Sequence, residues 1–171
     1  MSAHGSFETV DGRPAVVFER SLAHPVEAVW RAVTETGELA HWFPSSVEVD
    51  LRAGGRMRFV HADGGAPPAA GEVLELEPPR RFAFSWGEER LRFELEPAGE
   101  EGTRLRLTHF LSTRAQAARD AAGWHVCLDR LGDHLGGADA HAPTSEPTGE
   151  WRAHYDEYRR RGLPEGAPVP G

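Results

Sequence analysis

The order of periodicities between Pro14 and Leu135 constrains this chain more than any other feature. The run PAVVFERSLAHPVEAVWRAVTETGELAHWF passes from a Val- and Phe-rich, loosely alternating strand at Ala15 to Ser21 into two short helical patterns. Strand-like segments then follow one another until a single long helical pattern opens near Thr113. A strand, two helices, about six strands and a long late helix predict an α+β helix-grip arrangement. It is a curved antiparallel sheet of six to seven strands (β-α-α-β6-α) around the late helix, with room for a ligand between them.

Local chemistry supports this order. Pro25 suits the first turn of a helix whose Val26, Val29, Trp30 and Val33 recur at helical spacing, and Gly37 is expected to break it. Pro44 biases Phe43 away from helical geometry and ends the second short helix. Alternation then sets the faces of the strands, since side chains point to opposite sides in turn. Met57, Phe59 and His61 share one face and Arg56 and Arg58 the other; Phe82, Phe84 and Trp86 share a face, as do Leu91, Phe93 and Leu95, and Leu105, Leu107 and His109. Val73 to Leu76 is ambiguous. The reading favoured is Leu74 and Leu76 inward, with Glu72 inward beside them, and a bulge would reverse it.

The late helix, about Thr113 to Leu135, carries Trp124, Leu128, Leu131 and Leu135 on one stripe with Asp129, Arg130 and Asp133 opposite. A linker rich in Pro and small polar residues is expected over 138–149. Trp151, Tyr155 and Tyr158 then predict an amphipathic helix over 150–161, packed on the domain or left as a homodimer contact or a lid. The tail 162–171 reads as disordered.

Three segments, HPVEAVWRAVTETGELAHWFP, GEVLELEPPRRFAFSW and GWHVCLDRLGDHL, form a distinctive ordered set. Together they resemble the activator-of-heat-shock-protein-90-ATPase homologue family, within the START-like (SRPBCC, birch-pollen-allergen-like) superfamily, over roughly residues 14–137. The resemblance implies a START-like domain over 1–137, folded as a helix grip around an apolar cavity. It implies no shared reaction, because the superfamily includes lipid carriers, hormone receptors, polyketide aromatase/cyclases and chaperone activators.

Composition narrows the partners. A formal charge of −8 argues against binding a phosphate backbone. The chain has no run of about 18 apolar residues, and MSAHGSFETVDGR lacks a basic start and an apolar signal core, so no membrane partner and a cytoplasmic location are expected. All cationic side chains are Arg, with Ala, Gly and Pro abundant, which reads as the codon usage of a GC-rich bacterial genome. The single cysteine, Cys127, excludes an intrachain disulfide and a thiolate-rich metal site.

Catalytic signatures such as a phosphate-cradling glycine loop, a nucleophile elbow, HExxH and CxxC are missing from the sequence. The nine histidines show no paired ligand spacing on one element, so neither metal nor cofactor is expected. His61 and His109 remain as acid–base candidates because both continue an apolar strand face, with Glu72 a third. The expected ligand-binding set is Trp42, Met57, Phe59, His61, Phe84, Trp86, Phe93, His109, Trp124 and Leu128. This favours a protein that binds a small apolar or aromatic molecule. An aromatase/cyclase-like enzyme is the first alternative and a chaperone-activating interaction protein the second.

Overall fold

Asp11 and Gly12 both adopt positive φ, 51° and 78°, the pair of angles that a type I′ hairpin turn requires. They join β1 (Ser6–Val10) to β2 (Arg13–Leu22). The later strands are β3 (Ser46–Val49), β4 (Arg56–Val60), β5 (Ala69–Glu77), β6 (Arg81–Trp86), β7 (Glu89–Ala98) and β8 (Gly102–Phe110). In this computed structural model, which describes residues 4–60, 68–138 and 148–168, these make one sheet in the order β1-β2-β8-β7-β6-β5-β4-β3. Every neighbouring pair is antiparallel. The described residues thus form eight strands where six to seven were expected. The hairpin at Asp11-Gly12 adds one, placing β1 at an edge.

Two short helices, α1 (Val26–Thr34) and α2 (Thr36–Leu39), link β2 to β3. Pro25 is the N-cap of α1 rather than part of its first turn, and its carbonyl accepts from the Ala28 and Val29 amides at 3.0 and 3.2 Å. Extended Glu35, not Gly37, ends α1; Gly37 lies inside α2. Of the residues at helical spacing, Val29 and Val33 are fully buried, and Val26 and Trp30 are partly buried against the core.

The alternation of β4, β6, β7 and β8 holds: Met57, Phe59, Phe82, Phe84, Leu91, Phe93, Leu95, Leu105 and Leu107 are all buried, while Arg56 and Arg58 are exposed. β5 departs from expectation. A register shift between Val73 and Glu75 buries Val73 and leaves Leu74 41% exposed. Glu72 is exposed rather than inward, opposite Arg56 in the ladder. The bulge inserts one residue into the alternation and so reverses the facing of the residues before it.

A 3₁₀ turn at Arg114–Gln116 leads into α3 (Ala117–Leu135), started by a capping box between Thr113 and Gln116. Trp124, Leu128 and Leu131 are buried in one cluster with Phe84, Phe93 and Leu107. A second face of α3 is also dry, because α4 (Gly149–Arg160) packs against it. His125 is buried there against Tyr158, which is fully buried, and Arg130 pairs with Glu150 at 2.9 Å. Trp151 and Tyr155 stack at 5.0 Å and pack partly on the core. Burial of a large side chain of this kind stabilises by about 1.5–3 kcal/mol.

Residues 162–168 lie against the start of α3. The Ala118 amide donates to the Pro164 carbonyl at 2.9 Å, and the Ala167 amide to the Ala115 carbonyl at 3.2 Å. Leu163 packs on the core. Most of the expected linker, 139–147, lies outside the described residues. Among the described residues no helix is long and apolar enough to cross a membrane.

Candidate functional site

At the end of the sheet where β6 turns into β7, aromatic rings gather between sheet and α3. Phe59 stacks on Trp86 at 4.8 Å and on Phe84 at 5.7 Å. Phe43 meets Trp86 at 5.3 Å and Trp124 at 5.6 Å, both tilted or edge-on. Ring pairs at these separations add about 0.5–1.5 kcal/mol each beyond the area they bury. Phe43, Phe59, Phe84 and Trp124 are buried, whereas Trp86 is half-buried and forms the rim.

Of the residues expected to line a ligand site, Phe59, Phe84, Trp86 and Trp124 are brought together here. Phe93 and Leu128 lie in the same hydrophobic cluster, with Phe93 against Trp42 at 6.0 Å. Trp42 is core: its indole N–H donates to the Ala32 carbonyl at 2.9 Å and none of its surface is exposed. Met57 is buried in the same cluster and also borders an open cleft of about 530 Å³ at β3, β4 and β5, rimmed by Glu48, Asp50, Arg56 and Arg58. That cleft is open and has no wall from α3, so it is not the enclosed cavity expected between sheet and late helix. His61 lies outside the described residues.

His109 is 6% exposed and has both ring nitrogens engaged. The Trp124 indole N–H donates to its Nδ1 at 2.8 Å. Indole can only donate, so Nδ1 accepts and the ring proton sits on Nε2, 2.5 Å from Glu89 Oε1. Ser112 Oγ and Gln116 Nε2 donate to the other carboxylate oxygen at 3.1 and 2.9 Å. Burial works against the Glu89 charge, but the hydrogen bond from His109 and the attraction of its charge when protonated, with the hydrogen bonds from Gln116 and Ser112, outweigh it and hold the carboxyl at about 2. A carboxylate therefore orients an imidazole, and the imidazole orients an indole. The end of this relay is a donor without nucleophilic character, so its chemical consequence is a fixed aromatic wall at Trp124. His109 has no free nitrogen for general base work, and exposed Glu72 lies on the wrong side of the sheet for it.

Sequence reading missed Phe43, Glu89 and Gln116. The signals were present: the alternation that turns Leu91, Phe93 and Leu95 inward extends one step back to Glu89, and Thr113 with Gln116 matches the capping-box spacing.

A second polar cluster lies between α3 and α4. His125 Nδ1 is 2.8 Å from the Tyr158 hydroxyl, which also accepts from the Gly5 amide at 2.8 Å. Burial, then the charge of His154, pushes the His125 imidazole down to about 4, and burial pushes the Tyr158 hydroxyl up to about 12. Asp129 accepts from Arg20 Nη1 at 2.9 Å.

Comparison with known proteins fits this geometry. CalU16 from Micromonospora echinospora superposes with a TM-score of 0.71 at 27% identity, covering 92% of this chain and 93% of its own. EF2215 from Enterococcus faecalis, a conserved protein of unknown function, shares the fold at a TM-score of 0.71 and 21% identity, covering 92% and 89%. DynU16, from the dynemicin biosynthetic locus, aligns at a TM-score of 0.66 and 27% identity over 74% of this chain and 49% of its own. No curated protein matches the chain. Residues 23–136 match the family described as activator of Hsp90 ATPase homolog 1-like protein, so the chain belongs to that START-like family.

Proposed function

We propose that this protein binds a small apolar or aromatic molecule at the aromatic cluster between the sheet and α3. The observation that carries the reading is the half-buried Trp86 ring at the rim of a buried cluster whose back wall, Trp124, is locked by His109 and Glu89. Rigid aromatic faces beside one ring that reaches solvent suit a planar or hydrophobic guest, which enters by displacing Trp86. The relative from a biosynthetic locus supports a small-molecule role over the chaperone role that the family description invites. With His109 engaged on both nitrogens, binding is favoured over aromatase/cyclase-like catalysis. A cytoplasmic location belongs to the same reading.

The test is intrinsic fluorescence during titration with a panel of aromatic metabolites and an environment-sensitive dye. Saturable quenching is expected in the wild type. Trp86→Ala should weaken the affinity about tenfold or more in a variant that still folds, with a lower thermal midpoint from the lost ring contacts. A folded wild type with no saturable binding would sink the reading.

A further inference from the structure

His125 and Asp129 stand one turn apart on the side of α3 that α4 covers, and His154 reaches them from α4. One ligand atom from each lies within 4.8 Å of the others. His125 Nε2 is 3.8 Å from Asp129 Oδ2. A zinc ion with bonds of about 2.0–2.2 Å spaces tetrahedral donors about 3.3–3.5 Å apart, so the group has to tighten by up to about 1.5 Å. His154 and Asp129 are only half-buried and can rotate to do so.

The surrounding contacts are of the kind that orient metal ligands. Tyr158 holds His125 through Nδ1, leaving Nε2 toward Asp129. Arg20 holds Asp129 through Oδ1, leaving Oδ2 toward His125. In metal sites the second atom of a ligand is commonly fixed in this way, which sets its tautomer and direction. We propose that His125, Asp129 and His154 bind one divalent transition-metal ion, with zinc the best match to two imidazoles and a carboxylate, and that the ion ties α4 to α3. The fourth position falls to water or to His4, whose ring centroid is 5.2 Å from that of His125. The site departs from the sequence expectation of no metal, which sought histidine pairs on one element; here the second histidine comes from another helix.

The ring of His154 now stacks on His125 at 3.8 Å and 24°, and ligation turns it out of the stack. The experiment uses the full chain without a polyhistidine tag, stripped with chelator and titrated with zinc chloride by calorimetry. One equivalent should bind, with a rise of several degrees in the thermal midpoint at saturating metal. Cobalt(II) should give the visible absorption of a tetrahedral N/O site. His154→Ala and Asp129→Asn should each weaken zinc binding at least tenfold, with far-ultraviolet circular dichroism unchanged. His134→Ala, a histidine paired with Glu38 outside the group, should leave it intact. Absence of stoichiometric binding, or binding that His154→Ala leaves unchanged in a folded variant, would overturn the proposal.

Discussion

Glu89 is the residue on which the aromatic wall depends, and its charge makes the protein acid-sensitive. The folded carboxyl sits near 2 against an ordinary 4.5. Between those values the unfolded chain binds a proton that the folded chain does not, so stability rises with pH across that window. The contribution is present above pH 4.5 and is lost as the pH falls toward 2, and it amounts to about 2–3 kcal/mol when discounted for the partial exposure of Glu89. Glu89→Gln should therefore be less stable than wild type in urea at pH 7, and the gap between the two should narrow steadily as the pH falls from 4.5 toward 2. A gap that stays constant with pH would show that the carboxylate is not the titrating partner. Trp124→Phe tests the other end of the relay. It keeps the ring but removes the N–H that His109 Nδ1 accepts, and should cost about 1–2 kcal/mol.

Among the elements, β5 separates pattern from structure most clearly. The bulge between Val73 and Glu75 decides which hydrophobic residue is structural. Val73→Ala should cost about 2 kcal/mol, because it opens a cavity in a close-packed cluster, whereas Leu74→Lys should change stability by less than about 0.5 kcal/mol. Equal costs in thermal denaturation would mean the register is wrong. Strands with strict alternation, such as Leu91, Phe93 and Leu95, were legible from sequence because one face is buried and a single slip would expose all of it. The bulge in β5 was not legible, because both faces of Val73-Leu74-Glu75-Leu76 mix polar and apolar residues. The Asp-Gly turn before β2 is a hairpin signal in the sequence, and it accounts for the additional strand β1. At the site, alternation alone placed Phe59, Phe84 and Trp86 correctly, but it carries no information about partners. That is why His109 looked available for proton transfer when Trp124 and Glu89 occupy it.

At the scale of the whole molecule, α3 is a helix with two dry faces, one against the sheet and one against α4, and each face is matched by a different device. Toward the sheet, Trp124, Leu128 and Leu131 interlock with rings and aliphatic side chains of the central strands. Toward α4, the contacts are polar and aromatic, with the Tyr158 hydroxyl joining His125 to the Gly5 amide near the other end of the chain. The two faces predict different responses to mutation. Tyr158→Phe removes one hydroxyl and leaves the buried Gly5 amide without its acceptor, which should cost about 1–3 kcal/mol and leave a cooperative fold. Leu131→Asp places an unpaired charge at a position 1% exposed. Such a charge costs several kcal/mol against a total stability of about 5–15, so this variant should be largely unfolded at room temperature by circular dichroism. A Leu131→Asp thermal midpoint within a degree or two of wild type would mean that the seam between α3 and the sheet does not hold the domain together. The grip on α3, and with it the placement of Trp124 as the back wall of the site, would then have to be abandoned.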